Sequence, residues 1–199
     1  MLLPDQQNFR LSREAGVSLL TLVSEDGMNR LTRQKVICLT EVIEEMASSQ
    51  SPALVISGDR NFSVGADLNE IAKLTGSEAY EFSAIGQALM HAIATYPAFV
   101  IAAIEGHCMG GGLDLALACH RRIAAPSAVF GHRGTALGLV TGWGGTQRLP
   151  RLIGKGRAQE LLIAAEKLSA TRARGIGLVE TIADDPVAEA LRQLQAVTA

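Results

Sequence analysis

Two segments carry the chain through glycine into what read as helix starts, and their residue types and spacing suggest chemistry. The first is Asn61-Phe62-Ser63-Val64-Gly65-Ala66-Asp67-Leu68. The second is Glu105-Gly106-His107-Cys108-Met109-Gly110-Gly111-Gly112-Leu113-Asp114. A helix start leaves backbone N–H groups unpaired at the positive end of the dipole. Glycine lets a ligand approach that backbone with no Cβ in the way. Two such starts facing each other donate two N–H groups to one oxygen, the arrangement that a developing enolate or other oxyanion requires. Taken alone, each segment is equally a tight turn with close helix packing. Asp114 lies three residues beyond Gly111, so on a helix both point towards the same face. A carboxylate there moves a proton or steers water; its simpler role is a first-turn acid that complements the dipole.

Other groupings carry less. His107, Cys108, Cys119 and His120 invite a zinc reading but lack the spacing of a strong site, and small buried cysteines explain them better. No metal is expected. Gly154-Lys155 is followed by Gly156 rather than Ser or Thr, so no phosphate loop is present.

The elements that must position these residues alternate between short β-rich runs and longer segments of helical period. Strands are expected at Ser18–Val23, Ala53–Ser57, Phe99–Glu105, Arg122–Ala125 and Ala128–Gly131. Thr32 caps a helix to about Ala47, with Val36, Ile37, Val42, Ile43 and Met46 inward. A short helix follows Asp67, Thr75 and Glu78 open another that ends before Pro97, and Leu113–Cys119, Gly156–Ala165 and Ser169–Arg174 complete the set. Continuous apolar strands between helices argue for an α/β fold with its sheet covered on both faces.

The 199 residues, 48 % apolar and 19 % charged, are an ordinary globular composition. A net charge of -2 leaves no electrostatic footprint for nucleic acid. No apolar run reaches membrane-span length, and Met1 to Arg10 has no signal-peptide pattern. Three cysteines, Cys38, Cys108 and Cys119, make no secretory disulfide framework, so a reduced, cytoplasmic chain is expected.

Together the two glycine segments resemble the crotonase (enoyl-CoA hydratase/isomerase) family from about Ser18 to Ala183. Gly142-Trp143-Gly144-Gly145-Thr146-Gln147-Arg148-Leu149-Pro150, Ile153-Gly154-Lys155 and Ala173-Arg174-Gly175-Ile176-Gly177-Leu178-Val179 extend the resemblance. It implies an α/β superhelix of repeated ββα turns, here one domain over residues 1–199 with its core at about 18–183. A short C-terminal helix at 187–197 stands where the family usually continues into further helices. It also implies an acyl-CoA thioester as partner, with CoA as part of the substrate and no separate cofactor, and a homotrimer or dimer of trimers. By the same match the backbone N–H groups of Ala66 and Gly111 form the oxyanion hole. Met28, Arg30, Val64 and Leu68 lie along the CoA moiety, and Asp114 takes the position of one of the two hydratase glutamates.

The other glutamate is missing, because Gly134 stands at its place. Similar glycines occur in the dihydroxynaphthoyl-CoA synthases of the family, which carry an acid in the loop before Gly-Trp-Gly; here that loop, Gly138 to Gly142, has none. A single acid/base suffices for a proton shift between two carbons of an enolate, so isomerisation survives the loss better than hydration. His132 and Arg133 are the substitutes at hand. His132, Arg133 and Gly134 are candidate pocket residues; against that, strand alternation would aim His132 away as a structural or surface histidine, and Arg133 either holds an anion or is a solvated charge. Decarboxylation or thioester hydrolysis remains an alternative, as does a catalytically silent CoA-binding or assembly protein.

Overall fold

The computed structural model describes residues 8–14, 16–49 and 52–198; Met1 to Gln7, most of the segment read for a leader pattern, lie outside them. In chain order its elements are β1 (Phe9–Glu14), β2 (Val17–Leu22), α1 (Arg33–Ser48), β3 (Leu54–Gly58), α2 (Leu68–Ile71), α3 (Gly76–Ala94), β4 (Val100–Ile104), β5 (His107–Met109), α4 (Gly111–Ala118), β6 (Arg121–Ala124) and β7 (Val129–Gly131). A 3-10 turn (Thr135–Leu137) follows, then α5 (Gly145–Ile153), α6 (Lys155–Ala164), β8 (Leu168–Ser169), α7 (Ala170–Gly175), β9 (Thr181–Ile182) and α8 (Pro186–Thr198).

The main sheet runs β1-β2-β3-β4-β6-β9. Only the β1–β2 pair is antiparallel among these neighbours. Alternate residues of its central strands face opposite sides, as pleating dictates. Val55, Ile101, Ala103 and Ile123 meet Ala190, Leu191 and Leu194 of α8. Leu54, Ile56, Val100, Ala102 and Ile104 face the larger core shared with α1, α3 and α4. Both faces are therefore covered, which explains why these strands read as unbroken apolar runs.

After β2, β3, β4 and β6 the chain crosses to a second layer before entering a helix. Parallel bridges join Leu31 to Ala66 and Ser63 to Cys108. β5 then pairs parallel with β7, and β7 antiparallel with β8. The order across this layer is 28–31, 63–66, β5, β7, β8. Strand, second strand, helix is the repeating turn expected of a ββα superhelix.

Local chemistry sets the helix ends. Thr32 accepts from the Lys35 N–H at 3.2 Å, and Thr75 with Glu78 forms a reciprocal capping box. On α1 the inward set differs from the expected one: Ile37 and Met46 are half-buried, while Lys35, Cys38 and Leu39 are buried. Lys35 is accommodated because its Nζ donates to the Val23 carbonyl at 2.9 Å. α5 includes Pro150, which forfeits one helical hydrogen bond. No helix among the described residues is long and apolar enough to cross a membrane.

Arg122 ties β6 to the C-terminal segment. It is buried at 3 % exposure, donates to the Leu178 and Cys119 carbonyls at 2.8 and 3.0 Å, and pairs with Glu180. Removing it strands several buried acceptors. Arg122→Ala is expected to cost about 3 kcal/mol of stability, measured as a lower urea midpoint.

Candidate active site

The 62–66 segment is strapped on both sides. Val64 N–H donates to the Met28 carbonyl and Leu31 N–H to the Gly65 carbonyl. On the other side Ser63 N–H donates to His107 and Met109 N–H to the Ser63 carbonyl. The Ser63 hydroxyl also donates to the Asn29 carbonyl at 2.7 Å. These bonds press Gly65 against the start of α4: a Cβ on Gly65, at φ +92°, would lie 2.6 Å from the Met109 oxygen and 2.8 Å from the Gly111 nitrogen. A Cβ on Gly111 would lie 3.4 Å from the Ala66 nitrogen and would overlap the Trp143 ring. The two amides are thus neighbours. Among the described residues, neither the Ala66 nor the Gly111 N–H donates to another protein group.

Trp143 fixes this arrangement from behind. Its indole is buried, donates to the Phe82 carbonyl at 3.3 Å, and packs where a Cβ on Gly86 of α3 would collide with it.

Asp114 sits one helical turn beyond Gly111 and is 1 % exposed. Nε2 of His132 is 2.9 Å from Oδ1, and the Thr141 hydroxyl donates to Oδ2. The start of α5 closes in as well, since a Cβ on Gly145 would overlap Oδ1 and lie 2.9 Å from His132 Nε2. The N-terminal end of that helix favours negative charge on the carboxylate. Buried charge is tolerated where it is bonded in this way.

His132 follows its pocket reading, and the structural or surface alternative is the one corrected. The side chain is 4 % exposed and turned to Asp114, not away from the site. β7 ends at Gly131, so strand alternation stops one residue short of it. Gly134 starts the 3-10 turn, whose Leu137 and Leu139 N–H groups both donate to its carbonyl at 2.8 Å. A Cβ there would lie 2.8 Å from the Leu139 oxygen, so this loop has no room for a side chain at 134.

These residues line one cavity of about 580 Å³. Val64, Ala66, Leu68, Gly111 and Asp114 line it, together with His132, Arg133 and Gly134. Met28 and Arg30 are not in that lining. Met28 lies one strand outward, beside Val64, and Arg30 is exposed and paired with Asp26. The Arg30 guanidinium holds the Asp26 carboxyl down at about 2. Further lining residues were not assigned to the site from sequence, among them Thr141, Trp143 in its packing role, Lys167, and His107, whose Nδ1 is buried with no hydrogen-bond partner among the described residues. For Trp143 a signal existed, a lone large ring among glycines. For Thr141 there was none.

The cysteine–histidine cluster disperses. Cys108 and Cys119 are buried, with Sγ towards the Gly112 and Leu115 carbonyls, and His120 Nδ1 accepts from Val100 N–H. Burial pushes the Cys119 thiol from its ordinary 9.0 up to about 12, and Cys108 well above its ordinary value. Neither is a ready thiolate nucleophile. The folded protein keeps the Cys119 proton where the unfolded chain loses it. Its stabilising contribution is therefore full below pH 9 and lost as pH rises towards 12. Urea midpoints are expected to fall across that window, and to fall less steeply in Cys119→Ala.

A profile described as enoyl-CoA hydratase/isomerase matches residues 12–198. A crotonyl-CoA hydratase of Syntrophomonas wolfei is 37 % identical over 179 residues, covering 88 % of this chain and 69 % of that protein. A human mitochondrial methylglutaconyl-CoA hydratase is 38 % identical over 170 residues, 84 % of this chain and 50 % of that protein. The chain thus spans between half and about two thirds of the length of these relatives. The solved structure of Pseudomonas aeruginosa DspI superposes with a TM-score of 0.93 at 33 % identity, covering 99 % of this chain and 77 % of that one. The match along nearly the whole sequence, and the superposition of the whole superhelix, carry one conclusion: this chain belongs to the enoyl-CoA hydratase/isomerase family and has the crotonase fold.

Proposed function

We propose that the chain binds an acyl-CoA thioester, stabilises its enolate between the Ala66 and Gly111 N–H groups, and moves a proton with Asp114. The observation that carries this reading is the pair of adjacent, undonated amides, one helical turn from a buried carboxylate, all lining one apolar cavity. Charge that develops on the thioester oxygen meets two fixed donors, and none of them reorganises during the step. Val64 and Leu68 flank the thioester on its CoA side, with Met28 and Arg30 further along.

With one carboxylate, the natural reaction is a double-bond shift. Asp114 removes the α-proton of a β,γ-enoyl thioester, the electrons pass into the dienolate, and the same proton returns at the γ-carbon. His132 and Thr141 hold the two carboxylate oxygens, so the group is oriented before substrate arrives. Hydration is the second reading. It is favoured by His132 Nε2 at 2.9 Å from Asp114, a second proton-bearing group at the site where Gly134 supplies none.

The test is incubation with crotonyl-CoA and with a β,γ-enoyl-CoA, following hydration and migration separately. Migration or hydration that depends on Asp114 establishes the reading and names the reaction. Tight CoA binding with neither reaction would instead support a silent binding protein or another thioester chemistry.

A further inference from the structure

Two cationic side chains line the cavity. Arg133 and Lys167 both line it, and among the described residues neither has a carboxylate within ion-pair distance. Asp114 is the carboxylate of the lining, and His132 and Thr141 already engage both its oxygens. The neighbouring Glu166 is turned to Arg172 at 3.6 Å. The same lining includes the apolar Met109, Ala136 and Leu137. Both side chains are exposed, so they stand at the solvent-facing edge of the cavity, where cations without a carboxylate partner attract an anionic ligand group.

Their place in the second layer says which part of a ligand this would be. The layer runs 28–31, 63–66, β5, β7, β8, in lines about 4.8 Å apart. Arg30, assigned to the CoA side, lies on the first line. Lys167 immediately precedes β8, one step beyond the Phe130–Leu168 pair, on the last. Ala66 and Gly111 stand between. The backbone of Lys167 is thus roughly 10 Å from β5, on the side away from Arg30. Arg133 directly follows His132, so its backbone is about 4 Å from that of the residue that touches Asp114. A CoA phosphate would have to lie on the wrong side of the oxyanion hole to meet either cation. The far end of a short acyl chain would not.

Resting on the acyl-thioester reading above, we propose that Arg133 and Lys167 select acyl-CoA substrates that carry a second carboxylate at the distal end of a short acyl chain. The carboxylate accepts from both cations while the thioester oxygen occupies the oxyanion hole.

The experiment measures dissociation constants for glutaryl-CoA and butyryl-CoA, which differ by a terminal carboxylate, in the wild type, Arg133→Gln and Lys167→Gln. Wild type is expected to prefer glutaryl-CoA by at least about tenfold, and each variant to shrink that preference by about tenfold. No preference in the wild type overturns the proposal. So does a variant that weakens both thioesters equally, because the cations then serve the CoA phosphates. Neither thioester turns over by double-bond migration, so the preference is read even if the proposed reaction fails. Loss of all CoA binding would instead sink the acyl-thioester reading and this inference with it.

Discussion

Asp114→Asn is expected to lower turnover of a β,γ-enoyl-CoA by about three orders of magnitude, with CoA affinity nearly unchanged. The amide is close to the carboxylate in shape and still fits between His132 and Thr141, so the α4 start and the Ala66–Gly111 pair keep their positions. What disappears is the basic oxygen. The Oδ2 atom that accepts from Thr141 and the Oδ1 atom beside His132 cannot both be reproduced by an amide, whose nitrogen donates and does not accept. Steady-state rates and a separate binding titration distinguish lost chemistry from lost binding. Turnover within a few-fold of wild type would remove Asp114 from the mechanism.

Gly65→Ala is expected to cost about 10²- to 10³-fold in kcat by pushing apart the two oxyanion donors. The added methyl would lie 2.6 Å from the Met109 oxygen and 2.8 Å from the Gly111 nitrogen, and both are backbone atoms that cannot swing aside. φ at +92° adds strain for any side chain. Gly154→Ala is the matched control. Gly154 also has positive φ, at +86°, but a Cβ there meets nothing within 4 Å. Gly154→Ala should lose some stability and keep its kcat, whereas Gly65→Ala loses both. Equal kcat values in the two variants would show that the spacing of the Ala66 and Gly111 amides does not govern the rate.

What the sequence made legible is what backbone geometry writes into residue type. Gly65 and Gly110–Gly112 could be read because a close approach of two backbones excludes every other residue there. Helical spacing put Asp114 on the face of Gly111, and the family resemblance gave it the acid's position; the Thr75 capping box followed from side chains that bond their own turn. The long parallel strands were visible because covered sheets need unbroken apolar runs. β1 was missed for the opposite reason: it is an edge strand with Arg10, Ser12, Arg13 and Glu14 along it, and it shows no apolar alternation beyond Phe9 and Leu11. β5, β8 and β9 are two or three residues long and too short for any period.

The site divides in the same way. Ala66, Gly111 and Asp114 sit in local motifs that the family resemblance singled out, and all three line the cavity. His132 and Thr141 meet Asp114 across 18 and 27 residues of chain. Such meetings depend on where β7 stops and how the 134–142 loop returns, and neither is a local property. Strand alternation misplaced His132 because it was extended one residue past the end of β7. Lys167 reaches the cavity only through its antiparallel place beside β7, which no pattern around residue 167 announces.

The central claim is that a bound thioester becomes an enolate here, and α-proton exchange tests it without choosing a product. Butyryl-CoA is held in D2O with the enzyme while its α-proton signal is followed by NMR. The signal is expected to wash out with wild-type protein and to persist with Asp114→Asn. Tight binding of butyryl-CoA with no wash-out in the wild type would contradict it.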